Sequence, residues 1–283
     1  MSLSDVSPSS LTVGVDVVGA APAGAVTEAA VPLRLVDVGL RFGGVQALSG
    51  VNWQLLGPGR YGLIGPNGAG KSTLFNVISG LYAPSSGSVH VAGQSTMGLP
   101  TYAIARLGVA RTFQNIRLLP QLSVLDNLRV VAAHERRGTF WSSFCGGARA
   151  RTQLAAIDAR ARALLAAVEL TDCAEQLPTT LSYGAQRRLE IARAMMRQPR
   201  LLMLDEPAAG MNATEKLRLA DILRQLIPAT TTLVVVEHDM PFIMALCTSI
   251  TVMHQGQIFL TGSPAQIQAD PGVASIYLGT AVS

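Results

Sequence analysis

Lysine is nearly missing from these 283 residues: Lys71 and Lys216 are the only two, and arginine supplies most of the positive charge behind a formal net charge of +4. With so mild a basic excess and no Lys/Arg cluster interleaved with aromatics, the pattern is that of ordinary surface arginines, and no nucleic-acid partner is expected. Cysteine is scarce as well. Cys145, Cys173 and Cys247 form no CxxC pair, and no histidine stands at metal-ligand spacing to them, which argues against a zinc site. Reduced thiols fit a cytosolic compartment. Half of the chain is apolar, yet no uninterrupted apolar run reaches the roughly 18 residues of a membrane span. The best candidate, Leu11 to Val31, is broken by Asp16, Pro22 and Glu28, and the first cationic side chain is Arg34, so the charged start of a signal peptide is missing too. Residues 1–31 read as a flexible extension, and any membrane association has to come through partners.

What is present is regular from Pro32 onward. Val36, Val38, Leu40 and Phe42 alternate with polar or small residues, as do Val51, Trp53 and Leu55, the spacing of half-buried strands. Tyr61 to Ile64 is a short strand running into a glycine loop. Leu74, Val77, Ile78 and Leu81 recur at helical spacing, with Gly80 placed to end that helix. Val89 to Val91 makes another strand. From about residue 115 to 180 alanine, arginine and leucine dominate, which predicts a helical subdomain with a long amphipathic helix over Leu154–Leu170 and a loop over Gly138–Gly147. Leu201–Leu204 and Leu233–Val236 are unbroken apolar runs, the texture of parallel strands buried on both faces. Ser249–Met253 and Gln257–Thr261 resemble a hairpin. Strands alternating with helices imply an α/β domain.

The chemistry begins at Gly65-Pro66-Asn67-Gly68-Ala69-Gly70-Lys71-Ser72, a full match to the phosphate-loop pattern between a strand and a helix. Glycines let the backbone curl so that several N–H groups point inward at anionic oxygens, and the following helix aims its positive end at them. Lys71 reaches the β and γ phosphates of a nucleotide as a point charge; Ser72, followed by Thr73, offers a hydroxyl to Mg2+. Further on, Leu201–Leu204 delivers Asp205 and Glu206 to a strand's carboxyl end, where ligands bind in such sheets. Asp205 is the candidate to hold Mg2+ through its water shell, and Glu206 the candidate general base for the attacking water. His238, after a third strand, can contact a γ-phosphate and hold that water. Gln114, between Arg111-Thr112-Phe113 and the helical region, can reach the metal or the water with its amide. Leu181-Ser182-Tyr183-Gly184-Ala185-Gln186 puts Ser182 and the backbone of Gly184 at a helix N-terminus, with the helix itself read over Arg187–Met196. A second anion cradle in one chain implies a γ-phosphate gripped from a neighbouring copy.

Gly65 to Ser72, Gln114, Leu181 to Ala185, Asp205-Glu206 and His238 resemble, in order, the Walker A, Q-loop, signature, Walker B and H-loop motifs of the ATP-binding-cassette ATPases. The resemblance covers residues 33 to about 262. It implies a P-loop NTPase core with an antiparallel β subdomain and a helical subdomain, two ATP molecules sandwiched between two cassettes, and an aromatic ring, here Phe42, stacked on adenine. Arg111 to Leu118, Glu206-Pro207-Ala208-Ala209-Gly210-Met211-Asn212 and Ile276-Tyr277-Leu278-Gly279 are similar to the ATP-binding subunits of bacterial branched-chain amino acid importers and their urea-importer relatives. That similarity implies ATP hydrolysis with Mg2+ at the cytoplasmic face of the inner membrane. It also implies partners: a second ATPase subunit (the same or different), two transmembrane permease subunits and a periplasmic solute-binding protein. An exporter ATPase for lipid or lipopolysaccharide and a soluble cassette share the core and stand as alternatives. The sequence departs from the family in Tyr183 and Ala185, where the usual signature has glycine and glutamine, and in Asn212, where many relatives carry aspartate.

Overall fold

The computed structural model describes residues 31–133 and 148–279. The proposed loop over Gly138–Gly147 and all but the last residue of the proposed N-terminal extension lie outside them; that last residue, Val31, is buried.

Two sheets organise the chain. Strands β1 (Leu33–Phe42), β2 (Val45–Leu55), β4 (Ser86–Val91) and β5 (Gln94–Ser95) form an antiparallel sheet in the order β2-β1-β4-β5. Strands β3 (Arg60–Ile64), β6 (Val109–Arg111), β7 (Leu201–Asp205), β8 (Thr232–Val236), β9 (Ser249–His254) and β10 (Gln257–Gly262) form the second sheet, in the order β10-β9-β3-β8-β7-β6. All its pairings are parallel except the β9–β10 hairpin. Every residue of β7 and β8 is buried. Their side chains alternate between two apolar layers. Met203, Val234 and Val236 join Leu63 and helix α1 (Lys71–Ile78) under the antiparallel sheet. Leu202, Leu204, Leu233 and Val235 face the opposite layer, built by helices α3 (Val124–Ala133), α4 (Ala148–Ala167), α5 (Tyr183–Met195), α6 (Ala213–Leu226) and α7 (Met240–Leu246). The two sheets are pinned by a buried hydrogen bond in which Trp53 Nε1 donates to Thr251 Oγ1 at 3.0 Å. Helix α2 (Thr101–Arg106) precedes β6, and helices α8 (Pro264–Ala269) and α9 (Pro271–Gly279) end the described chain.

The structure shifts several sequence boundaries, each for a local reason. In β1 the buried apolar side chains are those of Leu33, Leu35, Val38 and Leu40, so Val36 faces out. A bulge between Leu35 and Val38, with Asp37 at φ 49°, changes the side-chain phase in mid-strand. Helix α1 stops at Ile78, and Leu81, read as part of its apolar face, lies beyond it and is exposed. Helix α4 begins at Ala148 rather than Leu154 and ends at Ala167. Helix α5 begins at Tyr183, four residues before Arg187, because Ser182 caps it by accepting a bond from the Ala185 N–H.

Candidate functional site

Four neighbouring parallel strands end on the same edge of the sheet. β3 runs into Gly65, β7 into Glu206, β8 into Glu237 and His238, and β6 into Thr112 and Gln114. Residues far apart in sequence thereby share the crevice where ligands bind in sheets of this kind.

The loop after β3 is shaped for a ligand to approach the backbone closely. Gly65 has φ 149° and Gly70 has φ 97°, and a Cβ at either would strike a carbonyl, of Met253 at 2.2 Å or of Ala47 at 2.8 Å. Side chains are thus barred at two points of the curl. Helix α1 starts at Lys71 with no acidic residue in its first turn, leaving its positive end free of a carboxylate from its own chain segment. Lys71 is half-buried and donates to the carbonyls of Gly65 (2.7 Å) and Pro66 (2.9 Å). Burial lowers the pKa of its ammonium, opposed by the charges of Glu206 and then Asp205. Asn67 and Gly68 are exposed on the outer curve, Pro66 and Ala69 are buried beneath it, and Ser72 and Thr73 sit in the first turn of α1, Ser72 exposed.

Glu206 stands at the end of β7 with φ 47°, a left-handed conformation that costs a non-glycine residue about 1–3 kcal/mol. Its N–H is held by Val236 O at 2.9 Å, so the neighbouring strand enforces the geometry. Gln114 Nε2 donates to Glu206 Oε2 at 3.2 Å. The two residues are thus brought together, with the glutamine amide on the carboxylate. Asp205 is buried and paired with Arg111, whose Nη2 donates to Oδ2 at 2.9 Å. The other end of that guanidinium reaches Asn76 and Ser79 at the far end of α1. His238 is 65% exposed, with Nδ1 3.6 Å from Glu237 Oε2. Glu237 is buried; burial raises its pKa, while the N–H groups of Ala208 and His238 bond it and oppose the rise. Phe42 is 45% exposed and meets Tyr82 edge-on at 5.2 Å. Ser182 is exposed at the start of α5, and the ring of Tyr183 lies over Gly210, where φ is +74°.

The oxygen donors suit a hard cation. A buried carboxylate on Asp205, the Ser72 hydroxyl and the Gln114 amide are of the type Mg2+ takes together with substrate phosphates. Among the described residues no group of three His, Cys, Asp or Glu side chains could form an all-protein metal cage. A site of that kind depends on the triphosphate for its remaining ligands.

Sequence reasoning missed four residues here. Arg111 restrains Asp205, Tyr82 completes the Phe42 pair, Glu237 ties β8 to the loop after Glu206, and Arg187 is fully buried against Glu190 at 2.7 Å. Asn212, which stands where many relatives carry aspartate, is the N-cap of α6. Its side chain accepts from the Glu215 N–H, and Glu215 bonds back to the Asn212 N–H. Asn212→Ala is expected to lose about 1 kcal/mol, or about 2–4 °C in Tm, and Asn212→Asp to stay near parental stability. Thermal melts of both variants check this.

The model of the family described as ABC transporter matches residues 48–209. The chain belongs to this family. It is an ABC ATPase, a cassette that binds and hydrolyses ATP. The BraF protein of Pseudomonas aeruginosa, a high-affinity branched-chain amino acid transport ATP-binding protein, is 42% identical over 88% of this chain and 98% of its own length. The protein LivG of Escherichia coli, described in the same words, is 42% identical over 86% of this chain and 95% of its own. Among solved structures, an ATP-binding cassette of an ABC transporter in its ADP conformation matches with a TM-score of 0.75 at 26% identity, covering 88% of this chain and 99% of that one. The α/β cassette fold expected from the motifs is therefore the fold present. Among the described residues no helix is long and apolar enough to cross a membrane.

Proposed function

We propose that this cassette is the ATP-hydrolysing subunit of an importer for branched-chain amino acids or a related small polar solute. Two such subunits close on two ATP molecules and act on two transmembrane permease subunits at the cytoplasmic face of the membrane. A periplasmic solute-binding protein delivers the solute. The reading of the solute rests on the names and 42% identity of BraF and LivG. The observation that carries the enzymatic part is the Gln114–Glu206 pair, 3.2 Å apart, on the sheet edge that also bears Lys71.

In this reading the curl from Gly65 to Gly70 wraps the phosphates, and Lys71 exchanges its two carbonyl partners for phosphate oxygens. Ser72 and Asp205, with Gln114, would hold Mg2+, which would supply positive charge against the phosphates. Glu206 takes the proton of the attacking water, whose position His238 and Gln114 share. Phe42 stacks on the base. Ser182 and the backbone of Gly184 bind the γ-phosphate held by the opposite copy, which the exposed place of Ser182 at the start of α5 permits. In the assembled complex in vesicles, binding protein loaded with leucine is expected to raise ATP hydrolysis severalfold over the unloaded form. No stimulation by any branched-chain amino acid or small amide, alongside stimulation by a chemically different solute, would refute the solute assignment.

A further inference from the structure

The side chain the mechanism leaves unused is also the least expected one: Arg187, a cation with 0% of its side chain exposed. Burying a guanidinium is costly unless it is matched; both terminal nitrogens of Arg187 are matched, while its buried Nε finds no hydrogen-bond partner among the described residues. Here Nη1 donates to Phe113 O at 2.7 Å and to Glu190 Oε2 at 2.7 Å. Nη2 donates to Gln114 O at 2.9 Å and to Glu206 O at 3.2 Å. Three of these four acceptors are backbone carbonyls of the two segments that carry the candidate catalytic groups. Gln114 closes the ring by donating its side-chain amide to Glu206. Glu190 in turn takes the Arg117 N–H at 3.4 Å, on the far side of Gln114. Arg187 itself lies near the start of α5, five residues after Ser182.

We propose that Arg187 is a positioning residue for hydrolysis. It holds the backbone of Gln114 and of Glu206 in one register with the Ser182 turn, without touching nucleotide. The left-handed Glu206 has its N–H fastened by Val236 and its carbonyl shared by Arg187 and the Ala209 N–H. Removing Arg187 frees the Gln114 segment from the carboxylate it serves, whereas the Lys71 cradle stands on a different strand and is left intact. The proposal rests on the roles given above to Gln114 and Glu206.

The test is a set of variants of the full chain. Arg187→Met with Glu190→Gln removes the pair without stranding a buried charge, and Arg187→Lys keeps the charge but gives up the planar fork. Both are expected to bind a non-hydrolysable ATP analogue within about threefold of the parent while kcat falls about 10- to 100-fold, the size of effect that misplacement of catalytic groups produces. A cycle with Gln114→Ala adds a readout that a merely structural part would not move. If Arg187 acts through Gln114, the combined loss in kcat equals the larger single loss. A folded Arg187→Lys with parental kcat, or losses that multiply with those of Gln114→Ala, overturns the proposal. Parental kcat in Gln114→Ala or Glu206→Gln alone overturns the underlying site assignment instead, so the two failures are told apart.

Discussion

Glu206→Gln is expected to stop turnover while leaving ATP bound. The amide has nearly the shape of the carboxylate but cannot accept the proton of the attacking water, and losing a positioned base costs about 10²- to 10⁴-fold in rate. The change is otherwise mild. Glutamine meets the same left-handed strain at φ 47°, and the backbone bonds to Val236 and Arg187 do not involve the side chain. Glu206 is only partly buried, so no charge is stranded in the core. Stability is therefore expected within about 0.5 kcal/mol of the parent. In the proposed two-copy clasp hydrolysis releases the closed copies, so the variant is expected to accumulate as an ATP-dependent dimer. Single-turnover hydrolysis and size-exclusion chromatography with and without ATP read both effects. A parental hydrolysis rate would remove Glu206 from the role of base; a monomer with ATP bound would remove the two-copy clasp.

That prediction draws on residues of unequal legibility. The phosphate loop is contiguous, so its spacing alone announces it, and β7 and β8 are legible because burial on both faces makes Leu201–Leu204 and Leu233–Val236 unbroken apolar runs. Gln114 and Glu206 are 92 residues apart, and only resemblance to a family joins them before the fold does. Strand β1 was half legible: alternation finds the strand, but the bulge at Asp37 changes phase inside it and turns Val36 outward. The first turns of α4 carry alanine and arginine, which favour a helix by propensity without drawing an apolar stripe, so periodicity started the helix too late.

The signature segment shows the same limit more sharply. Gly184 reads as a turn residue, and the cap that starts α5 two residues earlier depends on a bond between Ser182 Oγ and the Ala185 N–H. Arg187 and Glu190 form an i,i+3 pair of opposite charge, which in sequence looks like a solvated face. What buries them is the supply of carbonyls from two distant segments, a tertiary fact with no local trace. A pair of opposite charges interleaved with the apolar Leu189, Ala192 and Met195 was the one signal available.

Lys71→Met acts on binding where Glu206→Gln acts on chemistry. The parent ammonium is already half desolvated and spends its protons on the Gly65 and Pro66 carbonyls, so its transfer to phosphate oxygens exchanges weak neutral acceptors for charged ones. Removing one partner of such a contact costs about 2–5 kcal/mol, and ATP affinity is expected to fall from about thirtyfold to several thousandfold. The pH dependence carries its own sign. Burial lowers the Lys71 pKa in the free cassette, with Glu206 and Asp205 holding it partway up. Triphosphate raises it, so between the two values ATP binding takes up a proton. Affinity is therefore expected to decline as pH rises through the lowered pKa of the free cassette, and to level off above the raised pKa of the complex. In Lys71→Met that decline disappears and the remaining, weaker binding is flat across the same range. Calorimetric titration of both chains with a non-hydrolysable analogue, from neutral to alkaline pH, tests affinity and proton uptake together. Unchanged affinity in the variant, or an alkaline decline that survives the substitution, takes the lysine out of the cradle.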